Sequence, residues 1–256
     1  MFTISGSPGG AGVVRLLPRF RVHSWLVHAV VALAFALAAA GTIAAPAPWA
    51  GWCKPTLMPI LLAWFHVAVG PDAGRFGVLV RVALVFSWLG DVALQRDGDG
   101  WFAAGLAAFL VAQLTYAAAF AGQAGWGRRR LPAIAFALAT TVIATGTLVG
   151  RTVVGHAPRG LAIPVGLYAA AITAMGTGAA LRLGATPLAS FALVFVGAEW
   201  FVISDSILAA NRFVEPLPHA RWSVMLTYTL GQFLIVAGCV RHCVGRGPRP
   251  SDGAEA

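Results

Sequence analysis

Phe201-Val-Ile-Ser-Asp-Ser-Ile-Leu-Ala-Ala-Asn-Arg-Phe213 decides how this chain is read, because it places a carboxylate, Asp205, in a segment otherwise apolar enough for lipid. An earlier stretch, Phe86-Ser-Trp-Leu-Gly-Asp-Val-Ala-Leu94, repeats the arrangement around Asp91. In both, a small residue precedes the acid and a leucine follows three positions later. An ionisable group inside a membrane span is costly, and two placed alike point to one shared site. The other reading of the pair is helix-end residues wetted by interfacial water.

The surrounding composition fits a membrane setting. Hydrophobic residues make up 59% of the 256 and charged residues 11%, with a mean hydropathy of +0.79, which exceeds what a soluble core can bury. Apolar runs of roughly 20 residues match about 30 Å of hydrocarbon, and no β-barrel alternation is present. The fold class is therefore all-α: a polytopic membrane protein with eight transmembrane helices. The spans read as Ser24 to Ala45 and then about 55–70, 76–95, 101–122, 131–149, 161–180, 187–209 and 222–240. The first could also be a signal peptide, but it is long for one. The domain reading is a cytoplasmic basic tail at 1–23, the transmembrane domain at 24–240, and a basic, disordered cytoplasmic tail at 241–256. Span four (Gln113-Leu-Thr-Tyr116) loosely matches span eight (Thr227-Tyr228, Gln232), the pattern of a 4+4 pseudo-repeat.

The formal charge of +9 sits mostly in short loops, where anionic lipid head groups are its partners and nucleic acid is not. Arginine bias sets the orientation. Arg15, Arg19, Arg21, Arg75, Arg128–Arg130, Arg182, Arg241, Arg246 and Arg249 fall on one side, against Lys54, Arg96, Arg151, Arg159, Arg212 and Arg221 on the other. Eleven against six puts both termini in the cytoplasm. Spans three and seven then run in the same direction, with both aspartates in the last turns.

Glu199 is the third acid within a span, and six positions from Asp205 it points about 240° away. It is read as the structural partner of Arg81, the arginine within a span. Lys54 is the single lysine beside 17 arginines. It stands before Pro55 at the entry to span two, either as a snorkelling anchor or as a cation contacting a lipid phosphate or an aspartate. Arg212 admits the same two readings. Ser87, four residues before Asp91, shares its face. Tyr168, Tyr228, Gln113 and Gln232 are polar groups that need partners if buried. Cys53, Cys239 and Cys243 have no metal or redox spacing, the six histidines are scattered, and no nucleotide or serine-hydrolase motif appears. No cofactor or metal is expected.

As an ordered set, several of these residues resemble one family. They are Lys54-Pro55, the Asp91 stretch, Gly105 with Phe109 and Tyr116, Tyr168 with Met175, the Asp205 stretch with Asn211-Arg212-Phe213, and Met225-Leu-Thr-Tyr228 with Gln232. Together, over about residues 50–235, they are similar to the YhhN-like lysoplasmalogenases, integral membrane vinyl-ether hydrolases. That resemblance implies eight membrane helices and hydrolysis of lysoplasmalogens to a fatty aldehyde and glycerophospho-ethanolamine or -choline. It also implies that Asp91 and Asp205 are the catalytic carboxylates. Gln113 departs from the family pattern, where a histidine is expected, and Glu199-Trp200 replaces aliphatic residues. Such a reaction protonates the β carbon of the vinyl ether, and water captures the resulting oxocarbenium ion. It needs a carboxyl that carries its proton near neutral pH, and two carboxyls sharing a proton in low dielectric meet that need. Candidate substrate-binding residues are Lys54, Arg212, Asn211, Tyr168, Tyr228, Gln232 and Ser87, with a lysophospholipid as substrate in a multi-pass, bacterial cell membrane setting. The rival readings are a proton-coupled transporter using the two acids as a relay, for which Pro164-Val-Gly166 is the candidate helix break, and an intramembrane aspartyl protease.

Overall fold

A computed structural model describes residues 24–46, 49–71, 73–124 and 132–245. The N-terminal tail, the Arg128–Arg130 loop and the tail from 246 onward lie outside the described residues. So do the arginines in those segments on which part of the orientation count rests. Among the described residues there are nine α-helices and no strand: α1 (Ser24–Ala44), α2 (Trp49–Cys53), α3 (Leu57–Val69), α4 (Gly74–Ala93), α5 (Asp99–Ala121), α6 (Ala133–His156), α7 (Arg159–Ala180), α8 (Leu188–Phe213) and α9 (Ala220–Val244). A 3-10 turn, Lys54–Thr56, joins α2 to α3 into one membrane-length unit, so eight spans are long and apolar enough to cross a bilayer. The chain is a multi-pass integral membrane protein.

The interruption in span two has a local cause. Pro55 has no N–H to give and crowds the preceding turn, so the α-ladder tightens to 3-10 there. Its carbonyl accepts the Trp88 indole N–H at 3.0 Å, which pins the turn to α4 one helical turn before Asp91. Pro164 behaves differently. It lies near the start of α7, where a proline forfeits a single ladder bond, and the helix runs through it without a break. The broken helix that a transporter reading drew on is therefore absent from α7.

Packing forms a closed ring: α3 on α4, α4 on α5, α5 on α7, α7 on α8, α8 on α9, and α9 back on α3. Two helices lie outside it, α1 against α3 and α9, and α6 against α7 and α8. Exposed Val30, Leu33, Leu37, Ile163 and Leu188 point outward, as side chains facing acyl chains must. The tightest seam is between α8 and α9, where a Cβ added to Gly231 would sit 2.9 Å from both Gly197 O and Phe201 N. Those obstacles are backbone and cannot rotate away. Gly231→Ala is therefore expected to push the two helices apart and destabilise the protein by about 1–3 kcal/mol. Thermal unfolding of the purified variant checks this, and an unchanged Tm would contradict the close seam.

Three expectations are corrected. Arg81 does not pair with Glu199: its guanidinium donates to Gly70 O and, at 3.4 Å, to Pro71 O, and lies over the Phe65 ring at 5.5 Å. Those carbonyls follow the end of α3, where no helical donor reaches them, and the long side chain bends back to the boundary to meet them. Glu199 instead packs towards Gly176 of α7, its Oε1 without a hydrogen-bond partner among the described residues. Arg182, counted as a loop charge, is fully buried; it donates to Ser190 Oγ at 3.0 Å and faces the Phe120 ring. Finally, α8 continues to Phe213, so Asp205 lies about two turns inside its helix end while Asp91 lies two residues from the end of α4.

Candidate active site

Inside the ring is a cavity of about 590 Å³, and both aspartates line it. Its size suits a small-molecule site, and most of its wall is apolar, with Leu94, Leu106, Phe109, Val165, Leu208 and Met225 among the lining residues. Each acid is held by side chains from other helices. Asp91, on α4, is 1% exposed; Lys54 Nζ lies 3.4 Å from its Oδ1, and Tyr228, on α9, donates its hydroxyl to Oδ2 at 2.6 Å. Asp205, on α8, accepts the hydroxyl of Tyr168 from α7. Lys54 reaches Asp91 because the Pro55 turn is clamped to α4 through Trp88. Tyr228 is aimed by its neighbours: Phe109 and Phe201 meet its ring edge to face, with centroids at 6.1 and 5.4 Å.

The other polar groups fall into two layers. Arg212 is seven residues beyond Asp205 and Arg221 seven before Tyr228, so each lies on the same helix face as its counterpart and roughly 10 Å further out. These arginines mark the outer end of the cavity and the two acids its inner end. Arg212 pairs with Asp99 at 2.7 Å and stacks over the Phe102 ring at 3.9 Å. Arg221 donates to the backbone carbonyls of Thr42 and Ala45 at the end of α1. Below the acids runs a buried chain in which Tyr116 donates to Gln232 Oε1 and Gln232 Nε2 donates to Ser87 Oγ, each at 3.2 Å.

The model of the YhhN family matches residues 49–239, from the start of span two through most of α9. This chain belongs to the YhhN family. Among its relatives, human lysoplasmalogenase TMEM86A is 33% identical over 198 residues, covering 72% of this chain and 75% of the relative. Human lysoplasmalogenase TMEM86B is 32% identical over 192 residues, 75% of each chain. A lysoplasmalogenase of Mycobacterium bovis is 33% identical over 186 residues, 71% of this chain and 67% of the relative. No solved structure matches the chain. The YhhN match contains every group that touches the two aspartates and leaves out α1, which packs outside the ring.

Of the residues singled out from the sequence, Asp91, Asp205, Lys54, Arg212, Asn211, Tyr168 and Tyr228 all line the cavity. Asn211 is also committed locally, its Oδ1 accepting the Leu217 N–H at 2.9 Å and closing the loop after α8. Ser87 and Gln232 do not line the cavity; they are fully buried and bonded to each other beneath it. Ser87 lies on the same helix face as Asp91 but is bonded to Gln232, not to the carboxylate, whose contacts among the described residues are Lys54 and Tyr228. Glu199 is off the cavity, as its helical phase requires. Sequence reasoning missed Arg221, Phe102 and Asp99. The signal for Arg221 was its seven-residue spacing from Tyr228, the same spacing that joins Asp205 to Arg212.

Proposed function

We propose that this chain is a lysoplasmalogenase: an integral membrane hydrolase that cleaves the vinyl ether bond of lysoplasmalogens to a fatty aldehyde and glycerophospho-ethanolamine or -choline. The observation that carries this reading is the paired arrangement of Asp91 and Asp205 at the inner end of an apolar cavity with arginines at its outer end. The three relatives named lysoplasmalogenase support it further. A single-chain lipid with its phosphate near Arg212 carries its vinyl ether inward, towards the two acids.

The contacts favour different roles for the two acids. Asp91 has a counter-ion in Lys54, whereas Asp205 has no cation within ion-pair distance among the described residues. Asp205 is accordingly the proton donor: its hydroxyl proton goes to the β carbon of the vinyl ether, and the C=C electron pair forms the new C–H bond. The oxocarbenium ion left behind faces the Asp91 carboxylate, which stabilises it and takes a proton from the water that adds to it. The hemiacetal then collapses: the ionised Asp205 takes the hemiacetal O–H proton, Asp91 returns its proton to the departing glycerol oxygen as the C–O bond breaks, and aldehyde and alcohol leave with both acids restored, for a net addition of one water. In the orientation given by arginine bias the cavity opens on the non-cytoplasmic side of a bacterial cell membrane.

Detergent-purified protein incubated with lysoplasmenyl-ethanolamine and with its saturated-ether analogue tests the reaction. Aldehyde is expected from the vinyl ether alone. Absence of aldehyde from both lipids would overturn the proposal.

A further inference from the structure

Among the described residues three cations line the cavity, and they are not equally available to a ligand. Lys54 is engaged with Asp91, and Arg221 holds the carbonyls of Thr42 and Ala45. Among the described residues Arg212 is engaged only by rings and by Asp99, a residue whose side chain is 85% exposed. An exposed ion pair is weak, so Asp99 can leave Arg212 at little cost. The pair bridges the end of α8 to the start of α5 at the outer end of the cavity, two helical turns from Asp205.

Resting on the proposed lysolipid substrate, we infer that Asp99 is a specificity residue that reads the ammonium of a zwitterionic phosphate head group. A phosphoethanolamine or phosphocholine group carries one negative and one positive charge on a short tether. The Arg212–Asp99 pair carries the same two charges side by side. When the phosphate takes Arg212 from Asp99, the ammonium takes the place that Arg212 leaves, and every charge keeps a partner. A head group that ends in a bare phosphate also displaces Asp99 but returns nothing to it, and leaves two anions next to each other. The rim therefore selects zwitterionic over anionic lysolipids, and α5 supplies that selectivity from outside the cavity wall. Phe102, one turn further along α5, stacks on Arg212 and fixes the plane in which its guanidinium is presented.

The test uses two saturated-ether lysolipids, one with a phosphoethanolamine and one with a phosphate monoester head group, in equilibrium binding to the full chain in detergent. Wild type is expected to bind the zwitterion more tightly. Asp99→Asn should weaken phosphoethanolamine binding about fivefold, the scale of an exposed charge contact, while tightening the phosphate monoester. Asp99→Glu should preserve the wild-type preference, and Arg212→Gln should weaken both lipids. The preference should shrink in high salt. An equal change for both lipids in Asp99→Asn, or no change for either, overturns the inference. Neither lipid can be hydrolysed, so the result stands apart from turnover: a binding preference that follows Asp99 without aldehyde release from vinyl ethers would defeat the proposed reaction and leave this inference intact.

Discussion

Replacing Asp91 with asparagine is expected to lower aldehyde release about a thousandfold, and replacing Asp205 to do the same, within the range that general acid–base catalysis contributes. Asparagine conserves volume and removes only the acid or base function. An asparagine Oδ1 can still accept the hydroxyl of Tyr228 or Tyr168, and Lys54, at 17% exposed, can turn its ammonium towards water, so each variant should still fold. Two groups that act as one unit are non-additive, and the double variant should be little worse than either single one. Carbon protonation limits the rate in this mechanism, so turnover should also slow in heavy water. It should fall towards alkaline pH, where the proton needed for transfer is removed. The measurement is aldehyde release by protein whose monodispersity and Tm match wild type. Near-native turnover by either variant would end the two-carboxylate mechanism.

Lys54→Met is expected to reduce kcat about a hundredfold, a larger effect than its place in a terminal turn implies. Its ammonium lies 3.4 Å from Asp91 Oδ1, and the two side chains are 17% and 2% exposed. Removing one partner of a buried pair leaves the other charge uncompensated, at a cost of about 3–5 kcal/mol for a fully buried case and less here. The loss should appear in kcat and in the pH profile, because the residue acts through Asp91. Arg151→Ala, a change in the groove between α6 and α7 away from the acids, is the control. A rise in KM with kcat intact would assign Lys54 to the lipid phosphate instead. Equal, small effects of both substitutions would make it an interfacial anchor.

The number of spans was legible because hydropathy is a local sum. A run of apolar residues long enough to cross the bilayer needs no knowledge of its neighbours. For the same reason the two aspartates stood out, and helical phase alone separated Glu199 from Asp205. Span ends were less legible: α6 runs on to His156 and α8 to Phe213, past the expected ends at 149 and 209, because polar residues in a terminal turn do not stop a helix whose caps lie further on.

Pairings across helices were decided only by the tertiary structure. Arg81 and Glu199 looked like natural partners in one dimension, yet Arg81 turns to the carbonyls after α3 and Glu199 faces α7. Lys54 was open to two readings until the Pro55 turn, clamped by Trp88, placed it beside Asp91. Nor did spacing assign Tyr228 to Asp91 and Tyr168 to Asp205, since these contacts join residues 137 and 37 positions apart. Residue type and helical phase belong to a single helix and can be read from its sequence. Which helices become neighbours in the ring, and how each is rotated, depends on close seams such as Gly197 against Gly231, and those form only when the whole bundle packs.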